Sequence, residues 1–184
     1  MRLRNILILV VVLAITIAVY FVTRPAEEPP EKPDPLERIW EFEMDELNYV
    51  IIELPNLEMS ESFAEHEDRQ WYFDDPPGPQ VDPDRWGGGI PLILSGPGAE
   101  RSAKKDATEE ELAIYGFTQP LMKIFLTKQD EEVVSIEVGD AVPDGSAYYI
   151  RLADSNDIYI IDAIWYDVLE RLVLEPPYAP EEED

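Results

Sequence analysis

The chain has no cysteine among its 184 residues, which removes disulfides, zinc thiolate sites and cysteine nucleophiles and leaves the redox compartment unread. Histidine is nearly absent too. His66 is the single one, so a histidine metal site or a Ser-His-Asp triad would rest on that residue alone. Set in "EHEDR", it reads as an exposed loop or strand residue. Basic residues are scarce: 14 Lys and Arg stand against 40 Asp and Glu, a formal charge of -26. Nucleic-acid binding needs Lys and Arg to displace phosphate counterions, so no nucleic-acid partner is expected. An anionic lipid surface would repel the same charge. Cations, basic protein surfaces and proteins met through apolar contacts remain as partners; solubility or a saline habitat would account for the acidity equally well.

Glycine is limited to nine residues, yet five of them fall between Gly87 and Gly98 in "RWGGGIPLILSGPGAER". Glycine-rich turns cradle phosphates, but a P-loop needs a terminal Lys and Ser/Thr, and a dinucleotide fingerprint needs strand, G-x-G-x-x-G and helix in order. This stretch has neither, and Asp82 and Asp84 stand just before it. No phosphate site is read here.

What the sequence has, first, is one long apolar run. Residues 6 to 22, "ILILVVVLAITIAVYFV", carry only Thr16 and the Tyr20 hydroxyl as polar side-chain groups. At about 1.5 Å per residue such a helix, with its flanks, just spans a bilayer core of about 30 Å. Arg2 and Arg4 precede it and place the acidic remainder outside the cytoplasm. A cleaved signal peptide shares the basic start. The run is longer than a signal core, however, and "TRPAEEPP" after it offers no small-x-small cleavage site. The expectation is a cytoplasmic stub (1–5), a transmembrane anchor (6–23) and a Pro/Glu-rich stalk (24–35) that prolines and like charges hold extended. An extracytoplasmic domain (36–175) and an acidic, disordered tail (176–184) follow.

Within the domain, "RIWEFEMDELNYVIIELP" predicts strands at Ile39–Glu43 and Tyr49–Glu53, and "DRQWYFDDPPGP" predicts a third. From Leu121, "LMKIFLTK", "EVVSIEVGD", "AYYIRLA" and "DIYIIDA" read as four strands joined by turn chemistry. In the second, Val134, Ile136 and Val138 share one face and Ser135 and Glu137 the other. The short links favour an antiparallel meander. In "DATEEELAIYGF", Thr108 and Glu111 have capping-box spacing and Gly116 supplies a stop. Asp162 can cap a last helix whose Ile164, Trp165, Val168, Leu169 and Leu172 form one apolar stripe. The fold class is α+β, an antiparallel sheet with a few packed helices, preceded by the single N-terminal transmembrane helix.

The order "WYF", "VDPDR", "AER", "YGF-x-x-P", "VGD", "YYIRL" and "IYII" resembles a bacterial family catalogued as domain of unknown function 4340. The resemblance covers roughly residues 36 to 175, in one copy, and is most specific at Tyr115 to Pro120. It implies a membrane-anchored envelope protein, with some members associated with ABC transporters of the gliding-motility type. Many members are longer, with the module repeated. It also implies a helix beginning near Pro83 with Asp82 as its cap, broken or delayed by Gly87–Gly89 and Pro91. It assigns no catalytic or ligand residue.

The expected function is therefore a membrane-anchored, non-enzymatic interaction or accessory protein on the outer face of the bacterial cytoplasmic membrane. Its partners would be the membrane, through the N-terminal helix, and another envelope protein. The exposed-looking aromatics Trp71, Tyr72, Trp86 and Tyr178 are its candidate interaction surface. The alternative is a calcium- or small-ligand-binding module using Asp74 and Asp75, Asp82 and Asp84, or Asp154 to Asp157. None of these matches an EF-hand loop. No catalytic residue, metal ligand or cofactor is assigned, since no nucleophile, base and oxyanion set is coherent.

Overall fold

The computed structural model describes residues 13, 38–74, 78–86 and 89–179. The chain divides into two compact units, Met1–Pro35 and Leu36–Asp184, and the sheet and its helices belong to the second. The predicted anchor, Leu13 apart, and the stalk lie outside the described residues, as do Asp75 and residues 180–184. Among the described residues no helix is long and apolar enough to cross a membrane.

Eight strands form one fully antiparallel sheet: β1 (Leu47–Leu54), β2 (Met59–Glu65), β3 (Trp71–Phe73), β4 (Arg101–Lys104), β5 (Met122–Lys128), β6 (Val133–Ala141), β7 (Ala147–Leu152) and β8 (Ile158–Asp162). Their order across the sheet is β3-β2-β1-β5-β6-β7-β8-β4. The predicted meander is β5 to β8, with all four strands where the alternation put them. Among the described residues four α-helices accompany the sheet: α1 (Pro83–Trp86), α2 (Ile90–Ser95), α3 (Glu109–Ile114) and α4 (Ala163–Leu174).

The period-2 pattern sends Val50, Ile52 and Leu54 of β1 and Met122, Ile124 and Leu126 of β5 to the same buried face, with Ile136 and Val138 of β6. Helix α4 covers this face. Asp162 caps it by accepting from the Ile164 amide at 2.6 Å, and Trp165, Leu169, Leu172 and Val173 are buried. The predicted stripe holds at Trp165, Leu169 and Leu172, with Val168 packed partly buried beside them, and fails only at Ile164. Ile164 is 70% exposed, because Trp165 takes the inward direction at the start of the helix and Val173 extends it at the end. Each such side chain contributes roughly 1.5–3 kcal/mol on full burial.

Two further corrections concern the N-terminal and C-terminal segments. Ile39–Glu43 is not a strand. Two of its backbone amides go to the end of α2 and the loop after it, Ile39 donating to the Pro97 carbonyl and Phe42 to that of Ser95. Residues 176–179, assigned to a disordered tail, lie on the domain instead. The Asp82 amide donates to the Pro177 carbonyl and the Ala179 amide to that of Gln80, while Tyr178 stacks on Phe73 with centroids 4.4 Å apart.

The glycine stretch resolves into two short helices. Asp82 accepts from the Asp84 amide at 2.9 Å and starts α1 with Pro83 in first position. The chain restarts at Ile90 with Pro91 inside the first turn, where a missing N–H costs nothing. Helix α2 then ends in the core, and its orphan carbonyls are all accounted for. Leu92 accepts from the Ser95 hydroxyl, Ile93 from the Trp165 indole at 3.0 Å and Leu94 from the Trp40 indole at 2.7 Å. Ser95 accepts from Phe42. Gly96 permits this close approach: a Cβ there would meet the Trp40 carbonyl oxygen at 3.0 Å. Gly89 has open space around it.

Candidate functional site

The second face of the sheet carries a smaller core of Ala107, Phe117 and Ile158, with Leu112, Tyr115 and Tyr149 packed on it. It is built by α3. Thr108 accepts from the Glu111 amide and the Glu111 carboxylate accepts from the Thr108 amide, the predicted capping box. Gly116 then turns the chain at φ +88°. Here the two short motifs "YGF" and "VGD" meet. Gly139 and Asp140 form an irregularity in the β6–β7 ladder between Val138 and Ala141, and the Asp140 amide donates to the Tyr115 carbonyl at 2.9 Å. A Cβ on Gly139 would meet that carbonyl oxygen at 2.1 Å, and one on Gly116 would meet the Asp140 nitrogen at 2.5 Å. The two glycines let one backbone cross the other in contact. Beside the crossing, Arg151 donates to Glu137 at 2.6 and 2.9 Å and to the Ser155 carbonyl at 3.0 Å, with its guanidinium over the Phe117 ring. All these groups are matched to one another, so the region reads as architecture.

Two of the open clefts among the described residues lie toward the other face. The larger, about 620 Å³, has a floor of Trp40, Phe42, Val134 and Leu152. Its cation, Lys128, is already held between Glu132 and Asp130, and Glu41 is paired with Arg38. The smaller, about 400 Å³, lies between the turn Met44–Glu46, the end of β2, β3 and the start of α2. Trp71 and Pro91 line it, and Met44 and Leu92 stand at its mouth, 49% and 55% exposed. Glu43, Asp45, Glu65 and Arg69 complete the rim. Arg69 approaches Glu65 at 3.8 Å. Among the described residues Glu43 and Asp45 have no ion-pair partner.

The four predicted surface aromatics separate. Trp71 lines the smaller cleft. Trp86 is 3% exposed, so it belongs to the core and not to the surface; it supports Trp71 from beneath with centroids 4.8 Å apart and touches Phe63 at 4.5 Å. Tyr72 alternates to the opposite face of β3, where His66 stacks on its ring at 4.2 Å and Asp68 accepts from its hydroxyl at 2.7 Å. The Gln70 amide, then that hydroxyl, hold the Asp68 carboxyl below its ordinary pKa, and Asp68 raises that of Tyr72. Tyr178, 55% exposed, packs at the sheet edge on Phe73. Met44 and Leu92 were not anticipated. The only sequence signal was an apolar residue isolated between acids in "EMD" and a leucine beside Pro91.

The acidic clusters have local work. Asp74 accepts from the Tyr49 hydroxyl, Asp82 caps α1, and Asp157 accepts from the Asp106 amide and pairs with Lys105 at 3.3 Å. Among the described residues no group of three acids or histidines is placed to hold a metal ion.

With this geometry in place the comparison with known families is specific. Residues 97–172 match the family model of the domain of unknown function DUF4340. No curated protein and no solved structure matches the chain. The DUF4340 match, in single copy, runs from the loop after α2 into the last turn of α4. It takes in the Gly116–Gly139 crossing and both motifs that form it. It is shorter than the resemblance from 36 to 175. All the residues that line the Trp71 cleft precede the DUF4340 segment.

Proposed function

We propose that this is a single-pass protein of the bacterial cytoplasmic membrane whose domain stands outside and works by binding another envelope protein, without catalysis. An ABC-type transporter or another envelope complex is the class of assembly it would serve. The apolar run at residues 6–22 behind Arg2 and Arg4 supports the anchor and its orientation. The observation that carries the interaction reading is the Trp71 cleft, where large apolar side chains stay exposed on a chain of charge -26. Trp and Met are enriched at protein interfaces.

Because the chain lacks cysteine, a single introduced thiol reports topology without background. Glu110→Cys, on the exposed side of α3, is expected to react with a membrane-impermeant maleimide in intact cells. Leu3→Cys is expected to react only after lysis. Protection of the Glu110→Cys thiol in intact cells, or release of the protein from membranes by alkaline carbonate, would overturn the proposal.

A further inference from the structure

Resting on that reading, we infer that the Trp71 cleft takes a partner polypeptide presenting an apolar side chain flanked by Lys or Arg. Trp71 and Pro91 give a rigid apolar floor, and Met44 and Leu92 flank the opening with side chains that still face water. Trp86, buried behind Trp71, fixes the floor. Methionine adapts to the shape of an incoming group. The rim sets the sign. Three carboxylates, Glu43, Asp45 and Glu65, face one guanidinium, Arg69, which already approaches Glu65. The rim thus carries a net charge of about -2 around an apolar floor. An anionic lipid surface or an acidic peptide meets repulsion here, and a second copy of this chain brings a net charge of -26 of its own. A basic-apolar segment satisfies floor and rim together. The larger cleft carries a similar acid excess, Glu41, Glu132 and Asp154 against Lys128, but of its large apolar residues only Val133 is exposed, where the Trp71 cleft offers both Met44 and Leu92.

The test uses the full chain in detergent micelles and fluorescence anisotropy with labelled nonapeptides. One carries a central Phe-Leu flanked by two lysines on each side; one replaces the lysines with glutamates; one replaces Phe-Leu with Ser-Ser. The first is expected to bind at least tenfold more tightly than either of the others. Leu92→Ser together with Met44→Ser should remove that advantage. Asp45→Asn should weaken binding severalfold, and the effect should shrink as salt rises. Glu109→Gln, on α3 away from the cleft, should change nothing.

Equal binding of the Ser-Ser peptide would reduce the effect to general acidity and overturn the inference. Binding unchanged in the double Ser variant would also overturn it. So would cleft-dependent binding of phosphatidylglycerol vesicles, or self-association abolished by the same variant, since each names a different occupant. Peptide failure with the thiol labelling as expected removes this inference and leaves the topology standing. Protection of the Glu110→Cys thiol removes the topology instead.

Discussion

Gly139→Ala is the sharpest test of the backbone crossing. The new Cβ would lie 2.1 Å from the Tyr115 carbonyl oxygen, more than 1 Å inside an ordinary carbon–oxygen contact. The obstacle is main chain, so no rotamer change relieves it. Either β6 or the Tyr115–Phe117 turn must move, and the hydrogen bond from the Asp140 amide to that carbonyl, 2.9 Å, is stretched or lost. Overpacking costs about 1–3 kcal/mol and a hydrogen bond about 1 kcal/mol, so about 2–4 kcal/mol is expected. That corresponds to about 10 °C in Tm for a unit of this size. Gly145→Ala is the control for conformation alone. Its φ is +74° but nothing lies within 4 Å, so it should cost about 1 kcal/mol. Gly89→Ala, with neither positive φ nor a neighbour within 4 Å, should be neutral or slightly stabilising. Urea unfolding followed by near-UV circular dichroism of the three variants gives the ranking. Gly139→Ala no worse than Gly145→Ala would refute the crossing.

Trp40→Phe keeps most of the buried ring but removes the indole that donates to the Leu94 carbonyl at 2.7 Å. Leaving that carbonyl at the buried end of α2 without its partner should cost about 1–3 kcal/mol in the same unfolding assay. At the other end of the pH scale, burial first, then the hydrogen bond to Glu170, raises the Tyr166 pKa well above its ordinary value. A raised folded pKa means that this stabilisation is complete below the unfolded value, about 10, and is lost as pH climbs from there through the folded value. Tyr148 and Tyr49 shift the same way, burial being the first cause in each. Unfolding free energy should therefore fall steeply above about pH 10. Tyr166→Phe should flatten that fall, and an unchanged alkaline slope would refute the assignment.

Strands β5 to β8 were legible because pairing there is between sequence neighbours, and turn residues and alternation agree. Strand β2, "MSESFAE", was not, because Phe63 is its only fully buried side chain. Its other residues are partly or fully exposed, so the core-facing alternation is faint. Strand β4, "RSAK", has no buried residue and exists through its ladder with β8, contributed from more than fifty residues away. Ile39–Glu43 carries strand-like composition, yet two of its amides are claimed by the carbonyls of Ser95 and Pro97. Residue pattern cannot say which acceptor wins. The Trp71 cleft was half visible for a related reason. The aromatic was evident, but the turn at Met44, Glu65 and the start of α2 come from three separate stretches that only the fold brings together.

The glycine-rich stretch shows how a local signal changes meaning in its setting. Glycine-rich turns can offer amides to a phosphate, and "GGGIPLILSGPG" has the glycines for that without the lysine or the spacing. In the fold the groups that need partners are the carbonyls of Leu92 to Ser95, because a six-residue helix ends inside the core. A buried helix end without partners would cost more than so short a helix gains from its own hydrogen bonds. The partners are two indoles, Trp40 and Trp165, and the Phe42 amide, and they come from opposite ends of the domain. Gly96 lets the Trp40 backbone close on the helix end, and Leu92, one turn earlier, is left at the mouth of the cleft. The same short helix therefore ties the N-terminal segment to α4 on its inner side and presents the apolar rim on its outer side. Loss of the indole bonds should then loosen the cleft as well as the core, so Trp40→Phe is expected to weaken basic-apolar peptide binding although Trp40 does not line that cleft.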